Sequence, residues 1–261
     1  MLFEEREQII LNFLKTNKIC TTPDLAELTG TSNSTIRRDL KKLKKKGLIT
    51  KIHGGAKYFD TTNSFINNRV EHPSYSEKND VALIAQNFIK SGDTIFLGAG
   101  VTNILLSRYI KDRTDLLVVT TNINVVLELS SSKKITVLLL GGEINNCETH
   151  IETLSEYTLE SIGNYFFDKV FITVDGIDLE NGYSINSRLQ IPLYNYLLKN
   201  CEQFYLIADR SKFDKRAFIH LCNMNEIPNV ITNFNTKKKY LDFYKSNNIK
   251  VTTKTTKDGT Q

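Results

Sequence analysis

The chain has 261 residues, 40% of them hydrophobic, with 34 Lys+Arg against 29 Asp+Glu; that is apolar enough for two cores and too apolar for a disordered polymer. Residues 1–57 hold 12 basic and 6 acidic side chains and the remainder 22 and 23, so the whole formal excess of +5 is concentrated in about the first fifth. No apolar run approaches bilayer length, the charged start Met1-Leu2-Phe3-Glu4-Glu5 is neither signal peptide nor anchor, and Cys20, Cys147, Cys201 and Cys222 lie far apart with no CxxC pair, the four histidines showing no metal-ligand spacing near them. The expectation is a cytoplasmic protein with reduced thiols, no metal, no cofactor and no membrane partner.

In chain order, Ile9, Ile10, Phe13 and Leu14 predict a first helix from about Glu4 to Lys15, with Ile19 and Cys20 leading out of the following loop. Thr22 reads as the N-cap of a second helix with Pro23 at its first position, ending before Gly30. A third begins near Ser32 to Ser34, where Ile36, Leu40 and Leu43 form one apolar stripe and Arg37, Arg38, Lys41, Lys42, Lys44, Lys45 and Lys46 cover the rest. The short Thr29-Gly30-Thr31 connection makes the last two helices a helix-turn-helix. After Gly47, Leu48 to His53 is strand-like, Gly54-Gly55 turns, and Ala56 to Phe59 returns, which completes a wing. An ordinary solvated lysine-rich helix is the plain alternative, but the motif and wing favour duplex operator DNA. Ser34, Thr35 and Arg38 are then the side chains nearest base edges, and Arg37, Lys41, Lys44, Lys45, Lys51 and His53, with the Gly54-Gly55 turn, lie where phosphates pass.

Residues 1–59 thus form a winged helix-turn-helix domain, and polar residues 60–74 a linker. From Tyr75 to residue 251 helix and strand alternate: Val81 to Ile89 helical, Thr94 to Leu97 strand, Ile104 to Ile110 helical, Leu116 to Val119 strand, Val125 to Leu129 helical, Ile135 to Leu140 strand. Lys169 to Val174 and Gln203 to Ala208 add two strands, and the polar 252–261 tail is expected to be disordered. This alternation predicts an α/β domain with a largely parallel sheet. Three strands end in loops suited to an anion: Gly98-Ala99-Gly100-Val101-Thr102-Asn103, Thr121-Asn122, and Gly141-Gly142. Each alone reads as a tight βα turn; together they predict a ligand crevice at the carboxyl ends of the strands. Asp175, Asp209 and Lys212, at later strand ends, are further candidates, Lys212 as a point charge for phosphate and Asp209 as its orienter or as a helix N-cap.

The segment Thr35-Ile36-Arg37-Arg38-Asp39-Leu40 with His53-Gly54-Gly55-Ala56 resembles the DNA-binding signature of DeoR-family bacterial transcriptional regulators. The resemblance continues through Arg69, Glu77-Lys78, Gly98 to Thr102, Thr121-Asn122, Gly141-Gly142, Asp168, Asp175 to Asp178, Gly182 and Asp209 to Phe213, covering roughly residues 3 to 235. It implies an effector domain similar in fold to ribose-phosphate isomerase and glucosamine-phosphate deaminase, sensing a phosphorylated sugar and controlling a sugar-metabolism operon, usually as a repressor. Members commonly carry a Glu and, four residues later, a Lys on the helix after the Asn-Gly turn; the aligned residues here are Gln190 and Tyr194, with Pro192 between them. The glycine usual about ten residues after the Gly-Gly pair is replaced near Glu152-Thr153. Two other readings remain open: an isomerase or deaminase with a DNA-binding appendage, for which only Asp175 and Asp178 offer an acid and base, and a DNA-binding oligomer that has lost effector control. A homo-dimer or homo-tetramer is expected, since one winged helix buries little surface.

Overall fold

The computed structural model describes residues 2–17, 19–45, 48–52, 54–58 and 74–254. The chain divides into two compact units, Met1–Asn68 and Arg69–Gln261. Except for Ser74 at its end, the linker expected over 60–74 lies outside the described residues, as do 255–261 of the expected tail.

In the first unit α1 (Phe3–Asn17), α2 (Thr22–Thr29) and α3 (Asn33–Lys45) pack with β1 (Ile19–Thr21), β2 (Ile49–Ile52) and β3 (Gly55–Tyr58). The stripe Ile36, Leu40 and Leu43 is fully buried with Ile10, Leu14 and Leu25, as a helical period with one apolar face requires. Two expectations need correction. Ile19 and Cys20 are a strand, not a loop exit: β1 joins β3 on the side away from β2, giving an antiparallel sheet of order β1-β3-β2. The cap of α2 is Thr21, one residue earlier than expected, because its hydroxyl accepts from the Asp24 N–H while the Asp24 carboxylate accepts from the Thr21 N–H, a reciprocal pair that Thr22 cannot form. Ser32 caps α3 by accepting from the Thr35 N–H at 3.3 Å.

The basic helix contains one acid that the charge count conceals. Asp39, 3% exposed, accepts from Arg6 Nε at 2.7 Å and Nη2 at 3.4 Å, tying α3 to α1 by a two-point guanidinium clamp.

In the second unit seven strands form one parallel sheet: β4 (Thr94–Leu97), β5 (Leu116–Thr120), β6 (Ile135–Leu139), β9 (Phe167–Ile172), β12 (Cys201–Ile207), β14 (Asn229–Ile231) and β15 (Lys250–Thr252), in the order β15-β14-β12-β9-β4-β5-β6. The helices are α4 (Tyr75–Ala85), α5 (Val101–Ile110), α6 (Ile123–Leu129), α7 (Glu156–Ile162), α8 (Gln190–Lys199) and α9 (Lys238–Ser246). The core fills with side chains such as Phe96, Val170, Phe171, Leu206 and Val230, all fully buried, from strands that are apolar on both faces, as a sheet covered on both sides demands. Thr252 belongs to β15, paired with Ile231, so the last strand of the sheet reaches one residue into the expected tail. Two small antiparallel pieces were not foreseen: the hairpin β7 (Ile144–Asn146) with β8 (Ile151–Thr153), and a sheet of β10 (Gly176–Asp178), β11 (Gly182–Ile185) and β13 (Ile219–Cys222).

The Arg6–Asp39 pair makes a testable contribution. Replacing one partner of a buried pair strands the other, at a cost of about 3 kcal/mol, so Arg6→Met should lower the first unit's stability by that order in urea denaturation. The double variant Arg6→Met, Asp39→Leu should recover most of the loss. Equal destabilisation by the single and double variants would mean that the clamp contributes by packing alone.

Candidate DNA interface and ligand cavity

Most of the side chains proposed to meet DNA are available. Ser34, Arg37, Arg38, Lys41, Lys44 and Lys51 are exposed and Thr35 is half-buried. The hydroxyls of Ser34 and Thr35 lie 2.8 and 2.9 Å from the Ser32 hydroxyl, so the first turn of α3 holds a small hydroxyl cluster. His53 and the side chain of Lys45 lie outside the described residues. Gly54 is exposed in the wing turn, but Gly55 is buried for a local reason: a Cβ there would come within 2.1 Å of the Cys20 carbonyl oxygen. The glycine permits β1 to approach, which is a packing role beside any contact to phosphate.

In the second unit the strand order reverses between β4 and β9, and the loops after these two strands open a cavity of about 500 Å³, at the position expected for ligands of open parallel sheets. Gly100, Val101 and Thr102 line it from the β4 loop and the start of α5, and Thr173 and Asp175 from the β9 loop. Gly100 has φ +99°, and a Cβ would lie 2.7 Å from the Thr173 hydroxyl, so only glycine fits there. Gln190, Tyr194 and Lys212 also line the cavity.

Other expected site residues shape the walls from behind. Asn103 is fully buried and donates to the carbonyls of Ala99 and Phe171 at 3.3 and 3.2 Å, pinning the β4 loop to β9, while Gly98 packs beneath it against Phe171. Asn122 caps α6 and donates to the Gly100 carbonyl at 3.4 Å. The carbonyl of Thr121 accepts from the Thr153 N–H at 2.8 Å. Gly141 and Gly142 do not line the cavity: the Gly141 carbonyl accepts from the Thr158 hydroxyl at 2.6 Å, and Gly142 fits tightly against Leu154 and Ser155. Asp178, weighed earlier as an acid or base, accepts from the backbone and side-chain amides of Asn181 at 2.9 and 2.7 Å and so builds the Asn181-Gly182 turn away from the cavity.

The β7–β8 hairpin supplies the wall that went unnoticed in the sequence. It leans over the ends of β5 and β6 through the Thr153–Thr121 bond and through the Ile151 N–H, which donates to the Asn124 side chain at 2.8 Å. That brings Cys147, Glu148, Thr149, His150 and Glu152 to the cavity. Glu152 is 2% exposed and accepts from Gln190 Nε2 through both oxygens, at 3.3 and 3.1 Å. Burial pushes its carboxyl above the usual range, the amide bond from Gln190 opposes this, and Asp175 adds to the rise. Tyr194 is fully buried in the core; burial, with Glu152 and Asp175 nearby, holds its phenol well above the ordinary value, so it remains a neutral hydroxyl.

Two ammonium groups face these acids. Lys212 Nζ lies 3.8 Å from Asp175 Oδ1. Lys78, on α4, lines the cavity and is ion-paired with buried Asp209, which also caps the turn at Arg210–Lys212 by accepting from the Ser211 N–H. Burial lowers the Lys78 pKa, partly restored by Asp209; burial alone would raise Asp209, but the charge and hydrogen bonds of Lys78, with the bonds from Ser211, hold it below the usual range. Asp209 acts on the cavity through Lys78 and does not line it. Lys78 was legible in the sequence only as part of the Glu77-Lys78 resemblance.

Residues 6–62 match the DeoR-like helix-turn-helix domain, and residues 74–233 match the DeoR C terminal sensor domain. The chain belongs to the DeoR family. It is 30% identical to the HTH-type transcriptional repressor GlcR of Bacillus subtilis over 96% of both chains, and 30% identical to the lactose phosphotransferase system repressor of Staphylococcus aureus over 90% of this chain and 94% of that one. Among solved structures it is similar to ribose 5-phosphate isomerase A of Methanocaldococcus jannaschii, at 18% identity and TM-score 0.39 over 54% of this chain and 55% of that one. As a DeoR-family member the chain is a DNA-binding transcriptional regulator, with the first unit its helix-turn-helix and the second its sensor. Among the described residues no helix is long and apolar enough to cross a membrane.

The sensor cavity of this DeoR-family chain carries a pH signature. An acid with a raised folded pKa favours folding fully below its unfolded value, about 4.3 for Glu, and that contribution is lost as pH rises through the folded value. In chelated buffer Glu152→Gln, which keeps shape and hydrogen bonding without the charge, should therefore raise the melting temperature relative to the parent at pH 7.5 more than at pH 4.5. Parallel melting curves across that range would refute a buried ionising carboxyl at Glu152.

Proposed function

We propose that this regulator represses a sugar-metabolism operon, holding operator DNA through α3 and the wing as a homo-dimer or homo-tetramer and releasing it when a phosphorylated sugar fills the sensor cavity. The observation that carries the reading is the cavity at the strand-order reversal, lined by the Gly100 to Thr102 backbone, Lys78 and Lys212, in a chain whose other unit presents Arg37, Arg38, Lys41 and Lys44 to solvent. The name of the lactose phosphotransferase system repressor supports control of sugar uptake or use. The N–H groups at the start of α5 meet anionic oxygen, Lys212 supplies charge at the exposed mouth, and the Gln190 amide and Tyr194 hydroxyl meet sugar hydroxyls. The protein is not an enzyme in this reading: Asp178 is committed to its turn, and the buried acid Glu152 is held by an amide rather than by a second acid or base.

Fluorescence anisotropy with operator DNA tests both halves. Arg38→Ala should cost about 1–3 kcal/mol of discrimination between operator and random duplex if it pairs with guanine, and Arg37→Ala should weaken both DNAs alike and flatten the salt dependence. Unchanged affinity and salt slope in the double variant would remove α3 from the interface.

Sugar phosphates added to the bound complex should release the DNA without being converted, and Lys212→Ala should abolish release while leaving DNA affinity intact. Product formation would support the isomerase or deaminase reading, and indifference to every sugar phosphate an oligomer without effector control. Release by unphosphorylated sugars alone would overturn the phosphate assignment. Light scattering should return dimers or tetramers; a monomer still bound tightly to DNA would contradict the assembly.

A further inference from the structure

Cys147 and His150 stand at the two ends of the β7–β8 turn, which the Cys147 N–H closes by donating to the His150 carbonyl at 3.0 Å. Glu152 follows two residues later on β8. One donor atom from each of the three lies within 4.8 Å of the other two. This Cys-x-x-His-x-Glu run departs from the expectation that no histidine has metal-ligand spacing near a cysteine, and the third donor becomes a neighbour only once the hairpin forms. We propose that Cys147, His150 and Glu152 bind one divalent transition-metal ion of the zinc class in the wall of the sensor cavity, with a fourth coordination position open to the ligand.

The donor chemistry selects that class. One sulfur, one imidazole nitrogen and one carboxylate oxygen suit a borderline-soft ion, whereas calcium and magnesium take oxygen alone. A tetrahedral ion with bonds of about 2.0–2.3 Å needs donors roughly 3.3–3.8 Å apart, which side-chain rotation reaches from the spacing present. Supporting partners are in place: Gln190 Nε2 holds the Glu152 carboxylate, and the Thr149 hydroxyl lies 3.1 Å from His150 Nδ1, which directs the buried Nε2 to the ion in the manner of outer-shell partners at metal sites. A cation also resolves the electrostatic cost of the wall, where Glu152 is buried beside Asp175 and both described lysines lining the cavity are already opposed by carboxylates. The other cysteines are poor competitors, since burial pushes Cys20 and Cys201 up to about 11 and Cys222 up to about 12, and a metal binds the thiolate.

The test uses tag-free full-length protein, reduced and stripped with a chelator, then titrated with Zn²⁺ against a chromophoric competitor and separately with Co²⁺. One Zn²⁺ per protomer is expected, with a thiolate-to-Co²⁺ absorption band that Cys147→Ser abolishes. His150→Ala and Glu152→Gln should each weaken Zn²⁺ binding by about tenfold or more, while Lys212→Ala keeps full stoichiometry. A parent-like circular dichroism spectrum and cooperative melt of the metal-free protein confirm that each variant is folded, and the Co²⁺ band of the parent protein reads the thiolate without any variant. No stoichiometric uptake at micromolar free metal, no thiolate band, or uptake indifferent to both Cys147→Ser and His150→Ala would overturn the site. None of these readouts involves a sugar or release from DNA, so this assignment and the sugar-phosphate reading stand or fall separately.

Discussion

Where the parallel order reverses between β4 and β9, the chain leaves one strand toward β5 and the other toward β12, and the loops that follow part instead of packing together. Every feature of the sensor cavity depends on keeping that gap open at its floor. Gly100 lets the β4 loop pass the Thr173 hydroxyl, and Asn103, fully buried, ties the same loop to the Phe171 carbonyl. Side chains from α4, α8 and the β7–β8 hairpin then reach the opening only because this floor is fixed.

The charges around the opening form a nearly closed set. Lys78 is held by Asp209 and Lys212 faces Asp175, while Glu152 has an amide for its partner. In the proposed reading an anionic ligand enters a wall that is not strongly basic, so its binding would rest on backbone N–H groups and on pulling Lys212 from Asp175 at the mouth. Such a site discriminates by geometry more than by bulk attraction, since buried polar groups left unpaired by a wrong ligand are costly. The DNA-binding unit carries the opposite balance: its excess of Arg and Lys favours any duplex, and in the proposed interface discrimination falls to the first turn of α3.

What was legible in the sequence had a period or a cap. The stripe Ile36, Leu40 and Leu43 and the apolar strand at Thr94–Leu97 recur where periodicity places them, because burial on one or both faces leaves a pattern in the residues themselves. The hairpin had none: Ile144-Asn145-Asn146 and Ile151-Glu152-Thr153 are three-residue strands, mostly polar, whose pairing is fixed by contacts to Thr121 and Asn124 far back in the chain. Lys78 and Asp39 were hidden for a related reason. Each is a charged residue on a helix, indistinguishable by type from a solvated one, and only a distant partner, Asp209 or Arg6, makes it a buried ion pair.

The departures from the pattern that the family resemblance implies become coherent in three dimensions. Where the resemblance implies a glutamate on α8 this chain has Gln190, and near the place where it implies a glycine stands Glu152, in contact with that same Gln190. The carboxylate at the cavity is thus on the hairpin and its partner on the helix is an amide. The lysine expected one turn further along α8 is Tyr194, a neutral hydroxyl, and this exchange by itself leaves the wall short of one positive charge. A divalent ion held by Cys147, His150 and Glu152 supplies a cation on that side, and its open position gives a ligand oxygen the seat that an ammonium would otherwise provide.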